Sequence, residues 1–125
     1  MVESTKKDPM KIHKEGTAFY ETGKYKEAMD KFLEASQLYE KASNIFDASY
    51  TMYKAGECSF ALKDYKTATE DFMKSAELAF SKGFDRFGIS AWEYAADCYK
   101  ATGDEEKARE LKKKITDAKT KASAM

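Results

Sequence analysis

Residues 20–32 read YETGKYKEAMDKF and residues 60–72 read FALKDYKTATEDF, so a shift of 40 carries Tyr25, Ala28 and Phe32 onto Tyr65, Ala68 and Phe72. Self-similarity at a fixed period marks a chain assembled by stacking copies of one small unit. The register extends well beyond these stretches. Ile12, Met52 and Trp92 are all large and apolar, Gly16, Gly56 and Ala96 are all minimal, and Ala18/Cys58/Cys98 and Ala28/Ala68/Ala108 are small throughout. Helices that approach within about 8–10 Å need small residues at the crossing and large ones in the flanking grooves. One helix pair cannot bury its apolar face alone, so each copy covers the next.

Apolar spacings of three and four, with turn residues between them, predict six helices. Asp8-Pro9 opens the first, because Asp accepts from an orphan amide and the φ of proline suits the first helical position. It runs toward Thr22 and stops at Gly23, a natural left-handed terminus. The second runs from Tyr25 to about Ala42, with Ala28, Phe32, Ala35 and Leu38 on its inner stripe, and Ser43-Asn44 breaks it. Met52, Gly56 and Ser59 belong to the third; Tyr65, Ala68, Phe72 and Leu78 belong to the fourth, which ends near Lys82-Gly83. Trp92, Ala96 and Tyr99 lie on the fifth, Gly103-Asp104 turns the chain, and Ala108, Leu111, Ile115 and Ala118 line the sixth. The expected organisation is a disordered tail over 1–7 and one all-α domain over 8–122, with repeats at about 9–44, 45–84 and 85–122.

Composition agrees with helices: one proline and six glycines in 125 residues. Lys plus Arg and Asp plus Glu are 22 each, so no overall field draws the chain to nucleic acid or to an anionic membrane. No stretch approaches the ~20 apolar residues that span a bilayer, and the N-terminus has no apolar signal region. Two cysteines without a secretion signal suggest a reducing, cytoplasmic setting, with Cys58 and Cys98 read as small buried residues. His13 is the only histidine, neither cysteine has a C-x-x-C partner, and no phosphate loop or nucleophile–base pair occurs. An enzyme, a metal and a cofactor are therefore not expected. Asp104, Glu105 and Glu106 open a helix, where anionic groups favour the dipole. Lys107, Arg109, Lys112, Lys113, Lys114, Lys119 and Lys121 are read as a solvated face.

The first unit presents Ile12, Gly16, Phe19, Gly23, Tyr25, Ala28, Phe32 and Ala35 in the order of the tetratricopeptide (TPR) repeat signature, which it resembles. The second keeps Gly56, Tyr65, Ala68 and Phe72 but has Lys63 for the turn glycine. The third keeps Trp92, Tyr99, Gly103 and Ala108 and puts Lys112 where phenylalanine is expected. The resemblance covers residues 9 to about 120 and implies an antiparallel helix-hairpin repeat, wound as a right-handed superhelix of three repeats and six helices. A period of 40 against the usual ~34 implies longer second helices or an added turn. Longer repeats of this kind are similar to those of the soluble NSF attachment proteins, and AWEYAADCYKATGDEEKA at 91–108 has their pattern. The charged last helix suits a cap whose outer face meets water.

In that family the first helices of the repeats line a concave groove that holds a protein or peptide partner, which implies an adaptor or scaffold. The faces not used for packing place Met10, His13, Thr17 and Tyr20 in the groove from the first unit. The second contributes Tyr50, Tyr53, Lys54, Glu57 and Phe60, and the third Glu93, Tyr94, Asp97 and Lys100. Tyrosine gives a large, stiff contact with a polar tip; in the competing reading, Tyr50, Tyr53 and Phe60 pack against neighbouring helices and meet no ligand. The lysine, asparagine and arginine clamp with which some TPR domains bind acidic chaperone tails is absent, since its positions carry His13, Thr17, Lys54, Ser90 and Tyr94. Without that fork of donors a C-terminal carboxylate loses its charge-assisted bonds. A different class of function is a self-assembling structural protein, a homo-oligomer stacked through its end helices.

Overall fold

A computed structural model describes residues 7–124. They form six α-helices: α1 Pro9–Glu21, α2 Tyr25–Lys41, α3 Ile45–Ala61, α4 Tyr65–Ser81, α5 Asp85–Ala101 and α6 Glu105–Ala124, with no strand among the described residues. The fold is all-α, and each helix packs against the next along the chain. The tail expected over 1–7 lies outside the described residues except for Lys7, whose ammonium is 2.5 Å from Glu34. The last helix runs two residues past the expected end at 122.

All five turns are one device. The residues at 23, 43, 63, 83 and 103 have positive φ, from 64° at Ser43 and Lys63 to 82° at Gly103. The amide that follows each donates back to a carbonyl five residues earlier: Lys24 to Phe19, Asn44 to Tyr39, Asp64 to Ser59, Phe84 to Ala79 and Asp104 to Tyr99, all at 2.8–2.9 Å. This is the Schellman closure, which satisfies the orphan carbonyls of one helix while aiming the next back along it. The next helix starts one residue later, and Asp64 and Asp104 cap theirs by accepting from Thr67 and Lys107 amides at 3.2 Å. The turn period is therefore 20 residues, half of the 40-residue sequence period. Helices α2 to α5 are each 17 residues long, α1 is 13 and α6 is 20, so the second helix is the longer one in the first and last pairs, the two are equal in the middle pair, and no added turn separates the units.

The small residues sit where helices touch. A Cβ on Gly16 would come within 2.9 Å of the Phe32 ring, and one on Gly56 within 2.9 Å of the Phe72 ring. Their counterpart Ala96 carries a methyl, and the residue 16 positions on from it is Lys112 rather than phenylalanine. Phe32 and Phe72 have no exposed surface. Buried hydroxyls join helices at other crossings: Ser49 and Ser75 each donate to the other's carbonyl at 2.8 Å, and Ser36 donates to the Ala48 carbonyl at 2.8 Å. Side-chain contacts also link alternate helices, His13 to Tyr50 across α1 and α3 and Tyr53 to Tyr94 across α3 and α5. The odd-numbered helices thus share one face, and the even-numbered ones back it.

The end helices carry charge where inner helices carry core. Thr51, Ala55 and Cys58 on α3, and Ala91, Ala95 and Cys98 on α5, are wholly buried against the preceding helices. Their α1 counterparts are Lys11, Glu15 and Ala18, of which Lys11 and Ala18 are exposed. On α6, exposed Arg109, Lys112, Thr116 and Lys119 replace the buried Thr69, Phe72, Ala76 and Ala79 of α4.

Candidate functional site

Helices α1, α3 and α5 present a nearly continuous line of aromatic side chains. His13 meets Tyr50 with ring centroids 5.9 Å apart, Tyr50 meets Phe87 at 6.2 Å, Phe87 meets Tyr53 at 5.2 Å, and Tyr53 meets Tyr94 at 5.5 Å. Phe46 extends the line, 5.6 Å from Phe87 and 5.1 Å from Phe84. Aromatic pairs at such distances and angles hold one another in place beyond the area they bury. The line ends outward in exposed rings: Phe46 is 45% exposed, Tyr94 41% and Phe84 38%; Phe60, 39% exposed, stands apart from it against Tyr65.

The expected site residues divide by depth. His13, Thr17, Tyr20, Tyr50, Tyr53, Lys54 and Glu57 are half-buried, whereas Phe60, Glu93, Tyr94, Asp97 and Lys100 are exposed. His13 Nδ1 lies 3.2 Å from the Tyr39 hydroxyl, and the Thr17 hydroxyl donates to the His13 carbonyl at 3.2 Å. Burial pulls the His13 pKa down, with Asp47 opposing and Lys54 adding. Tyr53 packs between Phe72, Phe87 and Tyr94, and burial first, then the Tyr94 hydroxyl, hold its phenol well above the usual tyrosine range. Tyr50 and Tyr53 are half-buried and pack against other rings of this face. Tyr94 is the outward one, stacked on Phe72 at 5.3 Å and 21°.

Charges are locally paired. Lys54 Nζ lies 3.9 Å from the centre of the Tyr20 ring and 2.7 Å from Glu57. Burial opposes the Lys54 charge, but the Glu57 hydrogen bond and carboxylate outweigh it and its pKa is raised. Glu93 accepts from Lys119 at 2.9 Å. No lysine or arginine pairs with Asp97 or reaches it within 4 Å among the described residues.

Three aromatic members of this face were not among the expected residues: Phe46, Phe84 and Phe87. Phe46 lies one helical turn before Tyr50, and Phe87 lies three residues before Ser90, so the same spacing carried one turn further back reaches both. Phe84 occupies the turn itself, which periodicity does not address.

The remaining reactive groups are embedded. Cys58 and Cys98 are free and buried; burial pushes the Cys58 thiol up to about 12 and raises that of Cys98 as well. Among the described residues no three His, Cys, Asp or Glu side chains come together as metal ligands, and no helix is long and apolar enough to cross a membrane. No family model and no curated protein matches the chain.

Proposed function

We propose that the chain is a protein-interaction module of the tetratricopeptide kind, holding an extended or helical segment of a partner across α1, α3 and α5. The observation that carries this reading is the aromatic line from His13 to Tyr94, braced within and exposed at Phe46, Phe84 and Tyr94, with exposed Phe60 beside Tyr65 apart from it. Stiff rings braced from beneath lose little entropy on contact and offer alternate pockets to a partner's side chains. In a reducing cytoplasm Cys58 and Cys98 would remain thiols, as they are here, and the role would be that of an adaptor or scaffold. The outer faces of α1 and α6 carry charges where inner helices carry core, which opposes end-to-end stacking, because joining them would strip water from Lys11, Arg109 and Lys112.

Affinity capture with the intact domain tests the reading, set against a Phe60→Ala/Tyr94→Ala variant. Both positions are exposed, so the variant keeps the helical circular dichroism of the wild type while losing the outward contacts. Loss of the captured proteins supports the aromatic face as the docking surface; undiminished capture by the variant moves the interaction elsewhere.

A further inference from the structure

In the step from α1 to α3 the chain supplies its own cation, Lys54, held between the Tyr20 ring at 3.9 Å and the Glu57 carboxylate at 2.7 Å. A shift of 40 residues carries Tyr20 to Phe60, Glu57 to Asp97 and Lys54 to Tyr94. In the step from α3 to α5 the ring and the carboxylate are kept and the cation is not.

The frames around the two steps match. Tyr20 meets Tyr25 at 5.6 Å and 76°, and Phe60 meets Tyr65 at 5.2 Å and 74°. Gly16 lies against Phe32 as Gly56 lies against Phe72. Tyr94 does not fill the place of the missing lysine, for its ring turns to Phe72 and Tyr53, and the aromatic neighbour of Phe60 is Tyr65. Asp97 is exposed and unpaired by any described lysine or arginine. Lys100 and Lys112 are cations near this edge, and they act first on each other: Lys100 lowers the Lys112 pKa, with Asp97 and Glu105 opposing.

We propose that Phe60 and Asp97 form the receptor for one arginine or lysine side chain of the bound partner segment, which takes the place that Lys54 occupies one repeat earlier. This rests on the interaction-module reading and adds the chemistry of the partner. The segment carries a cationic anchor, set among apolar residues that lie on Tyr94, Phe46 and Phe84. A cation on an aromatic face draws on the ring quadrupole, and a carboxylate beside it adds a charge-assisted hydrogen bond. Arginine fits best, because its planar guanidinium stacks and pairs at once.

Selection of a displayed library of random peptides on immobilised wild-type protein, on Asp97→Asn and on Tyr94→Lys tests this. Both substitutions are at exposed positions, and each variant is first matched to the wild type in circular dichroism and melting. The wild type is expected to enrich peptides sharing one Arg or Lys, and replacing that residue by Gln in a synthetic peptide lowers affinity about tenfold. The same replacement has little effect on binding to Asp97→Asn, and Tyr94→Lys, which rebuilds the internal cation, no longer selects a basic residue. Enriched peptides without a shared basic residue overturn the proposal. So does an Arg→Gln penalty that is equal on wild type and Asp97→Asn, or a basic preference kept by Tyr94→Lys. If no peptide is enriched at all, the interaction-module reading falls, and this inference with it.

Discussion

The α-carbon of Gly56 lies so close beneath the ring of Phe72 that a methyl group there would stand 2.9 Å from its Cε1. Phe72 is fully buried and touches Tyr53 and stacks with Tyr94, so it cannot move away without disturbing the aromatic line. Gly56→Ala is accordingly expected to lower stability by about 1–3 kcal/mol despite the better helix propensity of alanine. Urea denaturation measures it. Phe72→Leu, which vacates the contested space, is expected to cost less in the Gly56→Ala background than it does alone, so the two changes do not add.

Ser43 and Lys63 hold φ of 64° at positions where the other three turns have glycine. Side chains with a Cβ pay for the left-handed region, and glycine does not. Ser43→Gly and Lys63→Gly are each expected to stabilise the chain by about 0.5–1 kcal/mol, the steric relief exceeding the added flexibility of the unfolded chain. Thermal melts of the single and double variants check this; two separated turns predict additive gains.

Asp71 is 8% exposed with its Oδ2 buried and unpartnered, and burial first, then the charges of Glu70 and Asp64, push its carboxyl up to about 7. A folded pKa above the unfolded value of 3.8 means that the native state binds the extra proton. The protonated carboxyl is easily buried below about pH 4, and the advantage is lost as pH rises through 7. Asp71→Asn is therefore expected to be more stable than wild type at pH 8 by about 2 kcal/mol, after allowance for water reaching the site. The difference shrinks toward pH 4. Urea midpoints for both proteins across that range show the convergence; a constant gap would assign the effect to packing instead.

Charged outer faces on α1 and α6 predict a single species at the mass of one chain in sedimentation velocity over a wide concentration range. Replacing Arg109, Lys112 and Lys119 with Thr, Phe and Ala, the residues at the matching positions of α4, would create the apolar surface that inner helices bury. That variant is expected to self-associate at concentrations where the wild type does not.

Much of the fold was legible because its strongest constraints are local. Gly23 and Gly103 announce their turns, Ser43-Asn44 announces a break, and the Gly16–Phe32 and Gly56–Phe72 pairs repeat in register. Lys63 read as a departure from the repeat, yet it adopts the same conformation as the glycines, because a penalty of about 1–2 kcal/mol is small beside the packing of the two helices it joins. The 20-residue spacing of the turns was hidden for a related reason. The turns are alike in backbone but not in residue type, so only the 40-residue period shows in the letters.

The face of α1, α3 and α5 was legible in outline and not in depth. Spacing puts Tyr53 and Tyr94 on the same side, but only the arrival of Phe72 and Phe87 from other helices decides that Tyr53 is enclosed and Tyr94 is not. Asp71 could not have been anticipated as buried, since its counterparts 40 residues away are Lys31 and Leu111, which point to opposite environments.

Packing between helices adjacent along the chain also bears on how the molecule forms. Neighbours joined by three-residue turns need almost no loop-closure entropy to meet, so the mean sequence separation of interacting residues is low and folding should be quick. Packed chiefly on α5 and with a sparse apolar stripe of Ala108, Leu111 and Ile115, α6 is the segment whose amides should exchange with solvent first, ahead of global unfolding.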